Sequence, residues 1–270
     1  MLDGEIKNLS KRMNFVIADS RPPVVFVLHH RAVLAAIWAA IKEGIFNPLP
    51  LLFRFDAHED IGHEIVNDWE AIKSIDNIDD FLREIDKLRH DNGGWVKAAM
   101  ELGLVGDVVT FYVPVDYPTS YKVDDTKYMN HTYKDHFGSE HRIFTFNRIC
   151  EISDTPQHIS KREKLIAFFE EIALDPQVLK FKHRPPLWFD IDLDFAMNDN
   201  RLPWDNKKFN EEFQDTRVSN FVKYLLRNAG LITIAIEPCY AGGFKGVAHI
   251  LGNLRRIFGG TGISFEVNVL

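Results

Sequence analysis

Short apolar runs rich in Val, Ile and Phe alternate along the chain with longer stretches whose apolar residues recur every three or four positions. The short runs predict strands apolar on both faces, and the longer stretches predict amphipathic helices. VVFVL (24–28) reads as a strand, HRAVLAAIWAAIKEG (30–44) as a helix closed by Gly44, and LLFRFD (51–56) as the next strand. Helices are expected at 78–90 and 94–104, with strands at 107–115 and 142–147. A helix over 161–174 precedes a strand at 187–195, and a long helix over about 207–229 precedes a strand at 231–238. A last helix at about 243–257 leads to a closing strand at 262–270.

This alternation predicts an α/β fold, a mostly parallel central sheet with helices on both faces. No repeat or linker divides the chain, so one domain over 1–270 is expected. The polar, aromatic segment 116–141 fits neither period and reads as a long excursion.

Composition narrows the class. Apolar residues make up 46% of the chain and charged residues 26%, which suits a large core. The net charge of −7 argues against a nucleic-acid partner. The cysteines, Cys150 and Cys239, form no disulfide framework and suit a reducing compartment. No stretch reaches the roughly 18 apolar residues of a membrane span. The expectation is a cytoplasmic protein with a small-molecule partner and no membrane partner. Nothing in the sequence identifies an interface for the homo-oligomer that such a protein could form.

The candidate chemistry lies where strands end. The run LLFRF stops at Asp56, Ala57, His58, Glu59 and Asp60. In WFDIDLDFA, Asp190, Asp192 and Asp194 alternate with apolar residues. Ligands gather at the C-terminal ends of strands in such sheets. Carboxylates buried there repel one another and lose hydration, so they call for neutralisation. Asp56, Asp60, Asp190 and Asp192 carry four formal negative charges, which match two divalent ions. His58 adds a nitrogen donor, which tilts the choice toward manganese, zinc or iron. A further ligand is expected from His29 or His30, with His30 preferred. His63, just past the first motif, is the local candidate for a proton donor. His131, His136 and His141 sit on the excursion and read as surface histidines unless that segment folds over the site. Trp38 and Trp188 read as core residues, and Cys239 as a buried spectator thiol.

DAHED resembles the D-A-H-x-D signature of the ureohydrolase superfamily, the arginase, agmatinase and deacetylase group, and DIDLD resembles its second D-x-D signature. The resemblance is closer still to an arginase-fold family to which no activity is assigned. That family combines H-x-x-V-L, F-D-x-H-x-D, D-I-D-L-D-F and E-P-x-x-x-G-G, so the likeness runs over about 24–257. It implies a three-layer αβα sandwich and a binuclear manganese site whose bridging hydroxide attacks a planar carbon. Carried over, the ligands are His30, Asp56, His58, Asp60, Asp190 and Asp192. Asp60 would also orient the nucleophile. Glu237 matches a position that orients substrate nitrogen or moves a proton.

There are departures. Trp188 stands where a serine is usual, Phe195–Ala196 where Asp-Pro is usual, and Val27–Leu28 where glycines are usual. The metal signature is kept and the guanidino-substrate signature is not. The expected activity is hydrolysis of a C–N bond of amide, amidine or guanidine type. Two alternatives stand beside it: a mononuclear zinc deacetylase-like amidase, and a metal-binding regulatory protein without turnover.

Overall fold

The computed structural model describes the chain apart from residues 1–4, 10, 13–14, 19, 21, 63–67, 89–93, 113–128, 155–161, 199–200, 264 and 266–270. Its strands are β1 (Phe15–Ala18), β2 (Val24–Val27), β3 (Leu51–Phe55), β4 (Val108–Phe111), β5 (Met129–Lys134), β6 (Glu140–Phe146), β7 (Leu174–Asp175), β8 (Lys180–Phe181), β9 (Leu187–Asp192) and β10 (Leu231–Ala235). Its α-helices are α1 (Glu5–Leu9), α2 (Val33–Lys42), α3 (Trp69–Lys73), α4 (Ile78–Ile85), α5 (Trp95–Glu101), α6 (Glu151–Asp154), α7 (Arg162–Glu171), α8 (Asn206–Phe213), α9 (Thr216–Asn228) and α10 (Gly243–Phe258).

One eight-stranded sheet runs in the order β1-β2-β10-β9-β3-β4-β6-β5, and β7 and β8 form a separate pair. The inner strands pair in parallel, and β1 and β5 close the two edges antiparallel to their neighbours. Successive side chains on a strand point to opposite faces, so each strand feeds two cores. Phe53, Phe55, Phe189 and Ile191 pack on one side with residues of α7, α8, α9 and α10. Val25, Val27, Leu52, Val108 and Trp188 pack on the other with α2, α4 and α5. The result is three layers, α/β/α.

On the α2–α5 face, strand register creates a polar row. Thr233 lies opposite Asp190, Asp190 opposite Arg54, Arg54 opposite Thr110, and Thr110 opposite Thr145. All of these residues are buried. One layer further along that face lie Val27, Ala235, Asp192 and Asp56, at the C-terminal ends of β2, β10, β9 and β3.

Several elements differ from the expectations. The helix expected from residue 30 opens with a 3-10 turn, His30–Ala32, and becomes α-helical only at Val33. The strand expected over 187–195 ends at Asp192, because the Asp192 side chain accepts from Asp194 N at 3.1 Å and turns the chain into a 3-10 segment, Leu193–Ala196. The long helix over 207–229 is two helices. Asp205 caps α8 through Lys208 N at 2.7 Å, and Asp215 caps α9 through Arg217 N at 2.8 Å, so each has its own N-terminal stop. Part of the excursion 116–141 is a β-hairpin, β5 with β6; residues 113–128 lie outside the described residues, as does most of the closing strand expected at 262–270. Trp38 and Trp188 are buried, Trp38 stacked on Phe81. Cys239 is exposed, since β10 ends four residues before it, at Ala235. Among the described residues, no helix is long and apolar enough to cross a membrane.

Candidate metal centre

β3 delivers Asp56 and then the chain folds back on itself. The Asp56 carboxylate accepts from His58 N at 2.6 Å, and Asp60 adopts φ +51°. The Asp60 carbonyl is held by Val96 N at 3.1 Å, at the start of α5. Asp60 therefore returns beside Asp56, and the motif is a tight loop rather than a continued strand.

His30 is the hub of the inner part of the site. It is buried, with Nε2 at 2.8 Å from Asp190 Oδ2 and Nδ1 at 2.7 Å from Asp192 Oδ2. Nδ1 also lies 3.5 Å from Asp56 Oδ2 and 3.6 Å from Asp60 Oδ2. Burial works against protonation of this imidazole, but Asp190 and Asp192 outweigh it and hold its pKa well above the usual range. The backbone N–H of His30 donates to Glu237 Oε1 at 2.6 Å, which brings the turn after β10 to the same place. Burial and the nearby Asp192 raise the Glu237 carboxyl. His29, the alternative ligand, is exposed and belongs to the surface near Arg31 and Asp86.

Asp190 sits deeper than its neighbours. Its Oδ1 accepts from Thr233 Oγ1 at 2.5 Å, and Thr233 Oγ1 accepts from Trp188 Nε1 at 2.8 Å. A carboxylate that holds the far nitrogen of a ligating histidine is a recurrent supporting arrangement in metal sites. The geometry thus gives Asp190 a positioning place behind His30, whereas Asp192 faces the other carboxylates.

The outer part of the site is built on His58. Its Nδ1 lies 2.8 Å from Asp194 Oδ2 and 3.6 Å from Asp56 Oδ1, and its side chain is 39% exposed, so this part opens to solvent. Burial opposes protonation here too, but the hydrogen bond to Asp194 raises the His58 pKa to about 9. Asp192 is raised by burial and by Asp194.

Among the described residues, two groups have ligand atoms all within 4.8 Å of one another: His30 with Asp56 and Asp60, and Asp56 with His58 and Asp194. Mixed imidazole and carboxylate donors suit a borderline divalent ion, and the outer group fits one. The inner group already holds a cation. Arg54 is fully buried, and its Nη2 contacts both Asp56 Oδ2 and Asp60 Oδ2. Burial opposes ionisation of Asp60, yet the Arg54 charge prevails and holds its pKa below the usual range. A divalent ion about 4 Å from a guanidinium is repelled by about 8 kcal/mol at an effective dielectric constant of about 20.

Of the expected site residues, His30, Asp56, His58, Asp60, Asp190, Asp192 and Glu237 come together; His63 lies outside the described residues. His141 is buried on β6 against the Gly106 carbonyl at 2.8 Å, and His136 is exposed. Sequence reading passed over Asp194 as a donor, although it is the third member of the alternation at 190–194. It also passed over Arg54, whose signal was a lone charge inside LLFRF. Trp95, which donates to Asp60 Oδ2 at 2.8 Å, opens the helix expected at 94–104 and was read as part of that segment, not as a site residue.

No protein family matches the chain. No curated protein matches it. Among solved structures the chain is similar to one titled as the crystal structure of Helicobacter pylori arginase, with 11% identity, a TM-score of 0.41, and coverage of 96% of this chain and 76% of that one. At that level of superposition, the functional reading rests on this chain's own residues. Fold and site together define a three-layer α/β protein with a buried histidine–aspartate cage at the ends of its parallel strands.

Proposed function

We propose that this chain is a divalent-metal-dependent hydrolase that cleaves a C–N bond of amide, amidine or guanidine type in a small molecule. The observation that supports this is the convergence of Asp56, His58, Asp60, Asp192, Asp194 and His30 from the ends of β2, β3 and β9. Manganese is the first choice of ion, with zinc and iron as alternatives that the same donors accept. A bound ion supplies activation of water near neutral pH and stabilisation of developing negative charge. Asp56, His58 and Asp194 would hold it. Asp190 fixes the orientation of His30. Glu237, anchored on His30 N, presents a carboxyl for orienting substrate nitrogen. A cytoplasmic setting is part of this proposal, and both cysteines are free, as a reducing compartment favours. The Arg54 guanidinium on Asp56 and Asp60 favours a mononuclear amidase as a second reading.

The test is a hydrolysis screen over acylated amines, ureido acids and guanidino compounds. It uses protein stripped with chelator and then reloaded with Mn2+ or Zn2+. Turnover is expected in the reloaded protein alone, and Asp56→Ala is expected to lower it by at least about 100-fold. Fully loaded protein that turns over nothing in this panel would leave the hydrolase reading without support.

A further inference from the structure

We propose that Arg54 stands in for one of the cations of the cage, so that the chain holds a single exchangeable divalent ion, at Asp56, His58 and Asp194. The proposal rests on the metal-dependent reading of the site and specifies its stoichiometry.

The inner group is occupied by a protein cation. Arg54 Nη1 donates to the Glu59 carbonyl at 2.9 Å, and its Nη2 reaches the Oδ2 atoms of both Asp56 and Asp60. Its guanidinium lies 4.9 Å from the centre of the Trp95 ring. Asp60 Oδ2 takes a second N–H, from Trp95 Nε1 at 2.8 Å. His30, the nitrogen donor of this group, has one ring nitrogen on Asp190 and the other on Asp192. Trp95 closes over it, with ring centres 4.7 Å apart.

The outer group differs in both charge and access. Among the described residues, no guanidinium contact is made to the Asp194 carboxylate, which faces His58 Nδ1 and, at 3.2 Å, accepts from Ala57 N. His58 is partly open to solvent, which gives an ion a way in and out. A buried carboxylate pair that loses its counter-ion must recruit another or be destabilised. Removal of the guanidinium would therefore free Asp56 Oδ2 and Asp60 Oδ2 for a second ion.

The experiment counts metal and does not depend on activity. Protein purified without chelator, loaded with excess Mn2+ and desalted, is expected to carry one Mn2+ per chain by elemental analysis. Arg54→Met is expected to carry two. Arg54→Lys, which keeps a cation in place, is expected to carry one, and His58→Ala none. Two ions on the unmodified chain, one retained by His58→Ala, or a folded Arg54→Met that stays at one, each overturns the Arg54 assignment and leaves the metal reading standing. No ion on the unmodified chain overturns the metal reading itself. The unmodified chain and His58→Ala decide the matter even where Arg54→Met does not fold.

Discussion

The Thr233 hydroxyl stands between two buried groups, accepting from Trp188 Nε1 and donating to Asp190 Oδ1. Each buried polar atom left unpaired costs about 1–3 kcal/mol, and more when it is charged. Thr233→Val keeps the shape of the side chain but orphans both partners. It is expected to lower stability by about 2–4 kcal/mol in urea unfolding, on that same scale. Thr233→Ser, which keeps the hydroxyl, is expected to recover most of the loss. A change within about 0.5 kcal/mol of the unmodified protein, the scale of ordinary surface substitutions, would show that Asp190 does not need this support. Legibility was uneven at this scale. Asp56, His58 and Asp192 were visible as charges ending apolar runs. Thr233 was not, because a threonine in LITIA is what any strand would contain, and only its register opposite Asp190 gives it a role.

At the scale of elements, the entry to α10 shows how tightly the turn beyond β10 is packed. Gly242 and Gly243 have φ of +76° and +73°, and Glu237 has φ +20°, so the chain reverses sharply between strand and helix. A Cβ on Gly246 would lie 1.8 Å from the Ala241 carbonyl oxygen and 3.1 Å from Pro203 Cγ. Backbone cannot step aside cheaply, so Gly246→Ala is expected to cost about 3 kcal/mol, the upper end for overpacking. Gly252, in the same helix, has no heavy atom within 4 Å of such a Cβ. Gly252→Ala is expected to stabilise by about 0.5–1 kcal/mol through helix propensity. Thermal melts of the two variants should move in opposite directions; a shared direction would contradict this packing. The glycine pair at 242–243 was readable in the sequence, but the crowding at Gly246 was not, since it comes from the way the turn folds the Ala241 carbonyl over the helix, with the loop around Pro203 beside it.

At the scale of the molecule, a bound ion and the fold stabilise each other. An ion present at about 100 times its Kd contributes about 2.7 kcal/mol of stability. For a chain of this size that corresponds to roughly 5–10 °C in Tm. Chelator treatment is expected to lower the melting temperature by this amount and Mn2+ to restore it, with Ca2+ and Mg2+ restoring less, because imidazole is a poor ligand for hard cations. A melt that does not respond to chelator or to Mn2+ argues against a cage that takes ions. The order of elements that builds this cage was largely legible, because alternating buried strands and amphipathic helices leave a periodic trace. The edge strand β1 and the break between α8 and α9 were not foreseen. The first is a four-residue strand whose pairing depends on β2, and the second depends on a single capping aspartate.

By itself the sequence determined the alternation of strands and helices and the chemistry at the strand ends, because both are set by residue type and local spacing. Tertiary structure decided which charges meet. Arg54 faces Asp190 only through the pairing of β3 with β9, and Asp60 returns to Asp56 only because α5 anchors its carbonyl. His30 rather than His29 enters the cage because the turn before α2 buries one imidazole and exposes the other. These are contacts between distant segments, whose energies depend on burial and on partners that no local stretch of chain contains.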